Sequence, residues 1–328
     1  CSSMNKGFES FMAAQLNQFA AYRKQLGYEP DGIRSVLLDF DRYLQKHAVD
    51  QSQLTPAFFL KLRATIHEDP NTVNRVLSGL RALFAFLVRQ GLYSQNPLED
   101  IPARGQRYFV PFIFTMLQVD QLLKAVCQNI RHHPRYFLFD VALYLSILLM
   151  ARCGMRINEP LRLRREHYRS DEGTLYIEKT KFRKDRLLPL PAAVKKELDD
   201  YLRLRQLFGA DNQSPYLLAS KKQRGLHENQ VRYVFHRTID AIGIRQKRQI
   251  IGDMTFGKPV PHSLRHSFAI NTLTQIRARG QNPQHALPVL AAYMGHRKYQ
   301  YTGAYLKVNH ARDRTGLIEF AKSQLDVI

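Results

Sequence analysis

Residues 92–114 break the chain in two. Asn96-Pro97, Ile101-Pro102 and Val110-Pro111 punctuate a stretch with no helical period. Proline removes a backbone donor and pushes the residue before it out of helix, so no long helix can cross this region. The segment before it reads as helix throughout. A periodic run from about Phe8 to Leu26 stops at Gly27, and Ile33, Val36, Leu37, Phe40 and Leu44 form one face of a second helix. Thr55-Pro56 starts a third, and Asn71 is placed to cap a fourth whose face runs Val73, Val76, Leu77, Leu80, Leu83, Phe84 and Leu87. A four-helix domain over residues 1–105 follows, then a linker at 106–114 that leaves Arg104 and Arg107 available to phosphates.

The second segment, 115–328, reads as helices around one small sheet. Leu117 to Val126 and Tyr136 to Arg152 are helical, and the second ends at Gly154. This apolar run contains Asp140 and is short for a membrane span, so it is expected as a buried core helix. Leu175-Tyr176-Ile177 and Leu187-Leu188-Pro189-Leu190 are β-prone and flank a basic stretch, which predicts a hairpin with a charged tip. Further helices are expected at about 191–207, 227–241, 263–278, 286–294 and 311–325. The last carries Leu317, Ile318, Phe320, Ala321, Leu325 and Ile328 on one face.

Charge narrows the partner. Lys and Arg number 49 against 28 Asp and Glu, a net of +21. The excess is uneven: residues 1–105 hold 12 basic and 10 acidic side chains, and the remainder hold 37 and 18. A field of one sign on one globular segment suits a polyanion. No basic amphipathic helix backed by bulky aromatics points to a membrane surface. Cys1, Cys127 and Cys153 show no metal or disulfide spacing, which fits a reducing cytoplasm. Cys1-Ser2-Ser3 ahead of Met4 reads as an appended tag, and no leader peptide pattern is visible.

Four separated motifs carry chemistry: Gly154-Met155-Arg156-Ile157-Asn158-Glu159, Thr180-Lys181, His262-Ser263-Leu264-Arg265-His266, and Gly295-His296 followed by Tyr305. Two guanidiniums can hold the nonbridging oxygens of a phosphodiester bidentately, which lysine cannot. Arg156 follows a helix stop, and His262 and Arg265 share the first turn of a helix beginning near Pro261. A lysine on a hairpin arm can protonate a leaving oxygen, although Lys179, Arg183, Lys184 and Arg186 offer the same charge. A tyrosine phenol, with a pKa near ~10, needs a base and a cationic setting to attack. No Gly-x-x-x-x-Gly-Lys loop and no acidic cluster for two-metal chemistry are present in the sequence, so neither cofactor nor metal is expected. Each motif alone is more often a surface charge, a cap or a packing residue. Their conjunction in one basic segment carries the reading.

In order and spacing these motifs resemble the tyrosine recombinase (phage integrase) family. The resemblance implies a mainly α fold, with a helical core-binding domain at 1–105 and a catalytic domain at 115–328 bearing a small antiparallel hairpin. It implies a site-specific DNA recombinase that cleaves and rejoins strands through a 3′-phosphotyrosine and a Holliday junction, for a mobile element or a chromosome. Carried over, Arg156 and Arg265 bind the scissile phosphate and Lys181 is the general acid. His262 and His296 assist, Glu159 orients the first arginine's loop, and Tyr305 is the nucleophile. The family's ungapped register from the lysine to the following Pro-Leu selects Lys181. The nine-residue interval from His296 and the Thr302-x-x-Tyr305 pattern select Tyr305 over Tyr293, Tyr299 and Tyr301.

The implied partners are double-stranded DNA with paired inverted-repeat sites and three further copies of the chain. The free protein is then a monomer or weak dimer, with no membrane attachment. Family members grip DNA with both domains and dock the terminal helix on a neighbouring protomer; packing on its own domain is the alternative. Departures are Met294 before Gly295-His296, Lys307 where histidine is frequent, and extra residues centred on Ala278 to Ala286. No arm-binding segment precedes the first helix, which points to a simple-site member. Two other readings stay open: a telomere resolvase or type IB topoisomerase, and a DNA-binding protein that keeps the fold without cleavage.

Overall fold

The structure is a computed structural model. It describes residues 7–28, 30–66, 69–105, 108–178, 185–209, 214–219, 225–252 and 254–296. The chain divides into two compact units, Cys1–Arg107 and Tyr108–Ile328.

The first unit holds helices α1 (Ala13–Gln25), α2 (Pro30–Lys46), α3 (Pro56–Thr65) and α4 (Pro70–Arg89). Leu16, Phe19, Leu37, Phe40, Phe59, Leu77, Leu80 and Phe84 fill the space between them. Helix α1 begins later than the apolar period suggests. The carboxylate of buried Asp41 accepts the amides of Glu9 and Ser10 at 3.0 and 2.9 Å and holds that stretch out of helix. Thr55 caps α3 as expected. Helix α4 starts two residues before Asn71: Asp69 is the cap, accepting from the Asn71 amide at 3.0 Å, with Pro70 at the first helical position.

Beyond α4 the proline-punctuated chain is strapped back onto it. Arg81 donates to the carbonyls of Leu98 and Ile101. Arg104 is committed within this unit. Its guanidinium donates to the carbonyls of Arg63 and Ile66 at 2.5 and 3.2 Å, satisfying the C-terminal end of α3. The expectation that Arg104 stands ready for phosphate is therefore corrected; Arg107 lies outside the described residues.

The second unit is built around one helix. Following β1 (Tyr108–Val110) and α5 (Met116–Gln128), helix α6 (Phe137–Cys153) buries nearly every residue from Ala142 to Ala151. A helix apolar on all sides must be covered on all sides. The covering elements are α5, α8 (Ala192–Leu207), α9 (Glu228–Ala241) and α10 (Pro261–Ala278). Short α7 (Asn158–Arg162) leaves the end of α6, and α11 (Pro283–Met294) packs on α10. Part of the stretch from Ala278 to Ala286 is thus the first turn of α11 rather than loop. No helix among the described residues is long and apolar enough to cross a membrane.

Two small sheets complete this unit. Strands β2 (Tyr168–Arg169), β3 (Thr174–Ile177) and β4 (Arg186–Pro189) are antiparallel, with Leu175 opposite Leu188 and Ile177 opposite Arg186. This is the expected hairpin with one strand added. The second sheet was not anticipated. Its order is β1, β6 (Met254–Phe256), β5 (Gln249–Ile251), with β1 parallel to β6. The 106–114 segment is therefore not merely a linker: residues 108–110 form a strand. Farther along, the Phe114 amide donates to the Ser267 hydroxyl at 2.7 Å, which ties this segment to α10.

Candidate active site

Three helix ends and one strand end converge. Helix α6 terminates at Gly154, whose φ of +60° places it in the left-handed region. A Cβ there would also stand 2.4 Å from Cδ1 of Phe268 on α10, so glycine is required both for conformation and for space. The turn aims Arg156 across the start of α7. Helix α11 ends the same way at Gly295, φ +66°, with the His296 amide donating to the Ala291 carbonyl at 2.9 Å. That cap fixes where His296 leaves the helix. Proline at the first position of α10 starts the helix that carries His262 and Arg265.

The carboxyl end of α11 is the meeting point. Three guanidiniums donate to three successive carbonyls: Arg186 to Tyr293 at 2.9 Å, Arg265 to Met294 at 2.5 Å, and Arg156 to Gly295 at 3.2 Å. A helix C-terminus carries partial negative charge and orphan carbonyls, so it holds cations well. Arg265 also donates to the Gly154 carbonyl at 2.6 Å and is 1% exposed. One carboxylate completes the cluster. Glu159 accepts from the Arg156 amide and guanidinium, both at 2.8 Å, and from Arg186 at 2.8 and 3.1 Å.

The electrostatics follow from this crowding. Burial pushes the Glu159 carboxyl up, but the Arg186 pair, the Arg156 amide and nearby Arg265 outweigh it and hold the pKa below the ordinary value. His296 is pulled down to about 4 by burial first and then by Arg265, Arg156 and Arg186. His266, half-buried, is lowered to about 3 by desolvation, His262, Arg265 and His296. His262 is exposed and meets His266 edge-on, with ring centroids 4.6 Å apart. Both depressed imidazoles are neutral near pH 7, free of the charge that would compete with the arginines.

Of the residues singled out in the sequence, Arg156, Glu159, Arg265 and His296 are brought together, and His262 lies within electrostatic reach of His296. Lys181 and Tyr305 lie outside the described residues, as does the expected terminal helix. Arg186 was passed over as one of several hairpin cations. A signal was available: strand alternation puts it on the same side of β4 as buried Leu188. Among the described residues no three His, Cys, Asp or Glu side chains are grouped to hold a metal ion.

A mainly helical unit gathers three guanidiniums at the end of α11, a chemistry suited to an anion. The model of the phage integrase family matches residues 114–312. Tyrosine recombinase XerA of Pyrococcus furiosus is 26% identical over 93% of this chain and 94% of the relative. Tyrosine recombinase XerC of Thermodesulfovibrio yellowstonii is 25% identical over 87% and 88%. Among solved structures, a lambda integrase dimer bound to a COC' core site covers 92% of this chain and 77% of its own. Its TM-score is 0.64 at 16% identity. XerH site-specific recombinase bound to palindromic difH substrate covers 93% and 83%, with a TM-score of 0.63 at 20% identity. The chain belongs to the phage integrase family.

Proposed function

We propose that this chain is a tyrosine-type site-specific DNA recombinase, cleaving and rejoining strands of a mobile element or a chromosome. The observation that carries the reading is the convergence of Arg156, Arg265 and His296 on the end of α11. In the proposed reaction Arg156 and Arg265 hold the nonbridging oxygens of the scissile phosphate and offset the charge that grows in the transition state. The Tyr305 phenolic oxygen attacks phosphorus and gives its proton to His262. The bond from phosphorus to the 5′ oxygen breaks, and Lys181 protonates that oxygen as it leaves. His296 donates to a nonbridging oxygen, and Glu159 keeps Arg156 aimed.

The resulting 3′-phosphotyrosine keeps the energy of the broken bond, so the reverse sequence rejoins strands through a Holliday junction without a cofactor. Residues 1–105 serve as the core-binding domain and 115–328 as the catalytic domain. The partners are double-stranded DNA with paired inverted repeats and, on that DNA, three further copies of the chain, in the cytoplasm. Tyr305→Phe removes one oxygen and is expected to keep DNA binding while abolishing the covalent adduct on a nicked substrate, read by denaturing gel and peptide mapping. An adduct that persists, or that maps to Tyr299 or Tyr301, overturns the assignment.

A further inference from the structure

Arg186 is the third guanidinium at the end of α11, and it meets a carboxylate with both terminal nitrogens. Its side chain is 8% exposed. Every nitrogen is committed: Nε to the Tyr293 carbonyl at 2.9 Å, Nη1 to Glu159 Oε1 at 3.1 Å, and Nη2 to Glu159 Oε2 at 2.8 Å. The α11 turn closes directly on it, since a Cβ at Gly295 would lie 3.0 Å from Arg186 Nη1. Arg186 is therefore engaged through both terminal nitrogens by a carboxylate of the protein itself, and the proposed reaction leaves the phosphate to Arg156 and Arg265. Its partner carboxylate is the one that holds Arg156, through Nη1 to Oε1 and the backbone amide to Oε2, both at 2.8 Å.

We infer that Arg186 is a positioning residue for strand cleavage, which acts through Glu159 to set the direction of Arg156 and the positive charge it keeps for the phosphate. This rests on the recombinase reading above. A buried carboxylate paired with Arg156 alone would cancel its charge. Shared between two guanidiniums, the same carboxylate orients Arg156 and leaves a net positive charge on the three groups. Burial also opposes ionisation of Glu159, and Arg186 is foremost among the groups that offset it. Among the described residues, the other charged or titratable groups around this point include Arg156 after α6, Arg265 on α10, Tyr293 on α11 and His296 after it. Arg156 reaches Glu159 with one guanidinium nitrogen, whereas Arg186 spans both carboxylate oxygens.

The test is single-turnover cleavage of a nicked substrate by the full chain at saturating protein, across a pH series. The variants are Arg186→Met, Arg186→Lys, Glu159→Gln and the Arg186→Met/Glu159→Gln pair. Arg186→Met is expected to slow adduct formation about 10²-fold, the scale of a small misplacement of a catalytic group, with DNA affinity held within about threefold. Its acid limb moves to higher pH, because Glu159 then protonates more readily. Arg186→Lys does not restore the rate, since a point charge cannot span two carboxylate oxygens and a carbonyl. In the Glu159→Gln background the further change Arg186→Met costs no more than about threefold, because the route through Glu159 is already cut.

Independent, multiplying losses in the pair would overturn the inference. If Arg186→Met does not fold, Arg186→Lys decides: a slow rate with a raised acid limb supports it, and a wild-type profile sinks it. Tyr305→Phe runs alongside. An adduct in that variant refutes the choice of nucleophile, and absence of any adduct from the wild-type chain refutes the recombinase reading itself, whereas a silent Tyr305→Phe beside wild-type cleavage by Arg186→Met refutes only the role of Arg186.

Discussion

An imidazole among guanidiniums reports on what else is there. His296 lies low, at about 4, because burial and then Arg265, Arg156 and Arg186 disfavour its proton. A bound phosphate would cancel part of that positive field, so its arrival should raise the His296 value. The measurement is an NMR titration of imidazole nitrogens in Tyr305→Phe, free and on DNA. A His296 midpoint that rises on DNA fits phosphate among the arginines; one that stays near 4 or falls excludes it. The same shift sets the sign of a stability change. A histidine with a depressed folded value binds fewer protons than its unfolded form, so stability is lost as pH falls below the ordinary 6.5 and levels off near 4. His266 extends the same loss toward about 3.

At the scale of elements, Gly154 is the tightest joint. Gly154→Ala forces a Cβ onto Phe268 at a positive φ, joining an overpacking penalty to a backbone one. The expected loss is about 2–4 kcal/mol, measured as a lower denaturant midpoint with unchanged slope. An unaltered midpoint would mean that α6 and α10 separate easily at this point. This joint was legible in the sequence, because a glycine after a long apolar helix is a local signal. So were the Thr55 cap, the β3 and β4 strands, and the all-buried α6. Strand β1 was not: Tyr108–Val110 pairs with Met254–Phe256 from a remote part of the chain, and no local pattern encodes such a pairing. Asp41 was missed for the same reason, since its ligands Glu9 and Ser10 belong to another element. Within the site, spacing identified residues joined by one helix turn, while the Arg186–Glu159 link between a strand and a helix start appears only in three dimensions.

Across the whole molecule, formal charge overstates what DNA can meet. Residues 106–328 hold 37 basic and 18 acidic side chains. Several acidic groups are drawn into local pairs: Asp120 with Arg152, Asp140 with Arg131, Asp199 with Lys195, Asp200 with Lys196 and Glu228 with Arg232. Such exposed pairs add little stability, yet they leave the basic excess facing solvent with little local repulsion toward phosphate. Some cations face inward instead. Arg205 is 1% exposed and donates to the carbonyls of Tyr216 and Leu217, and Arg186 is spent on Glu159 and Tyr293. The solvent-facing excess should release counterions on binding, at a slope of about −0.9 per phosphate neutralised. With about six or more phosphate contacts, affinity for DNA should fall roughly 10³-fold or more between about 50 and 200 mM salt, measured by fluorescence anisotropy. Arg186→Met should leave that slope unchanged, because its guanidinium contacts no phosphate, whereas Arg156→Met should make it shallower by about one contact. A slope near zero would assign the basic surface to something other than a nucleic acid backbone. A slope altered by Arg186→Met would place that side chain on the DNA after all.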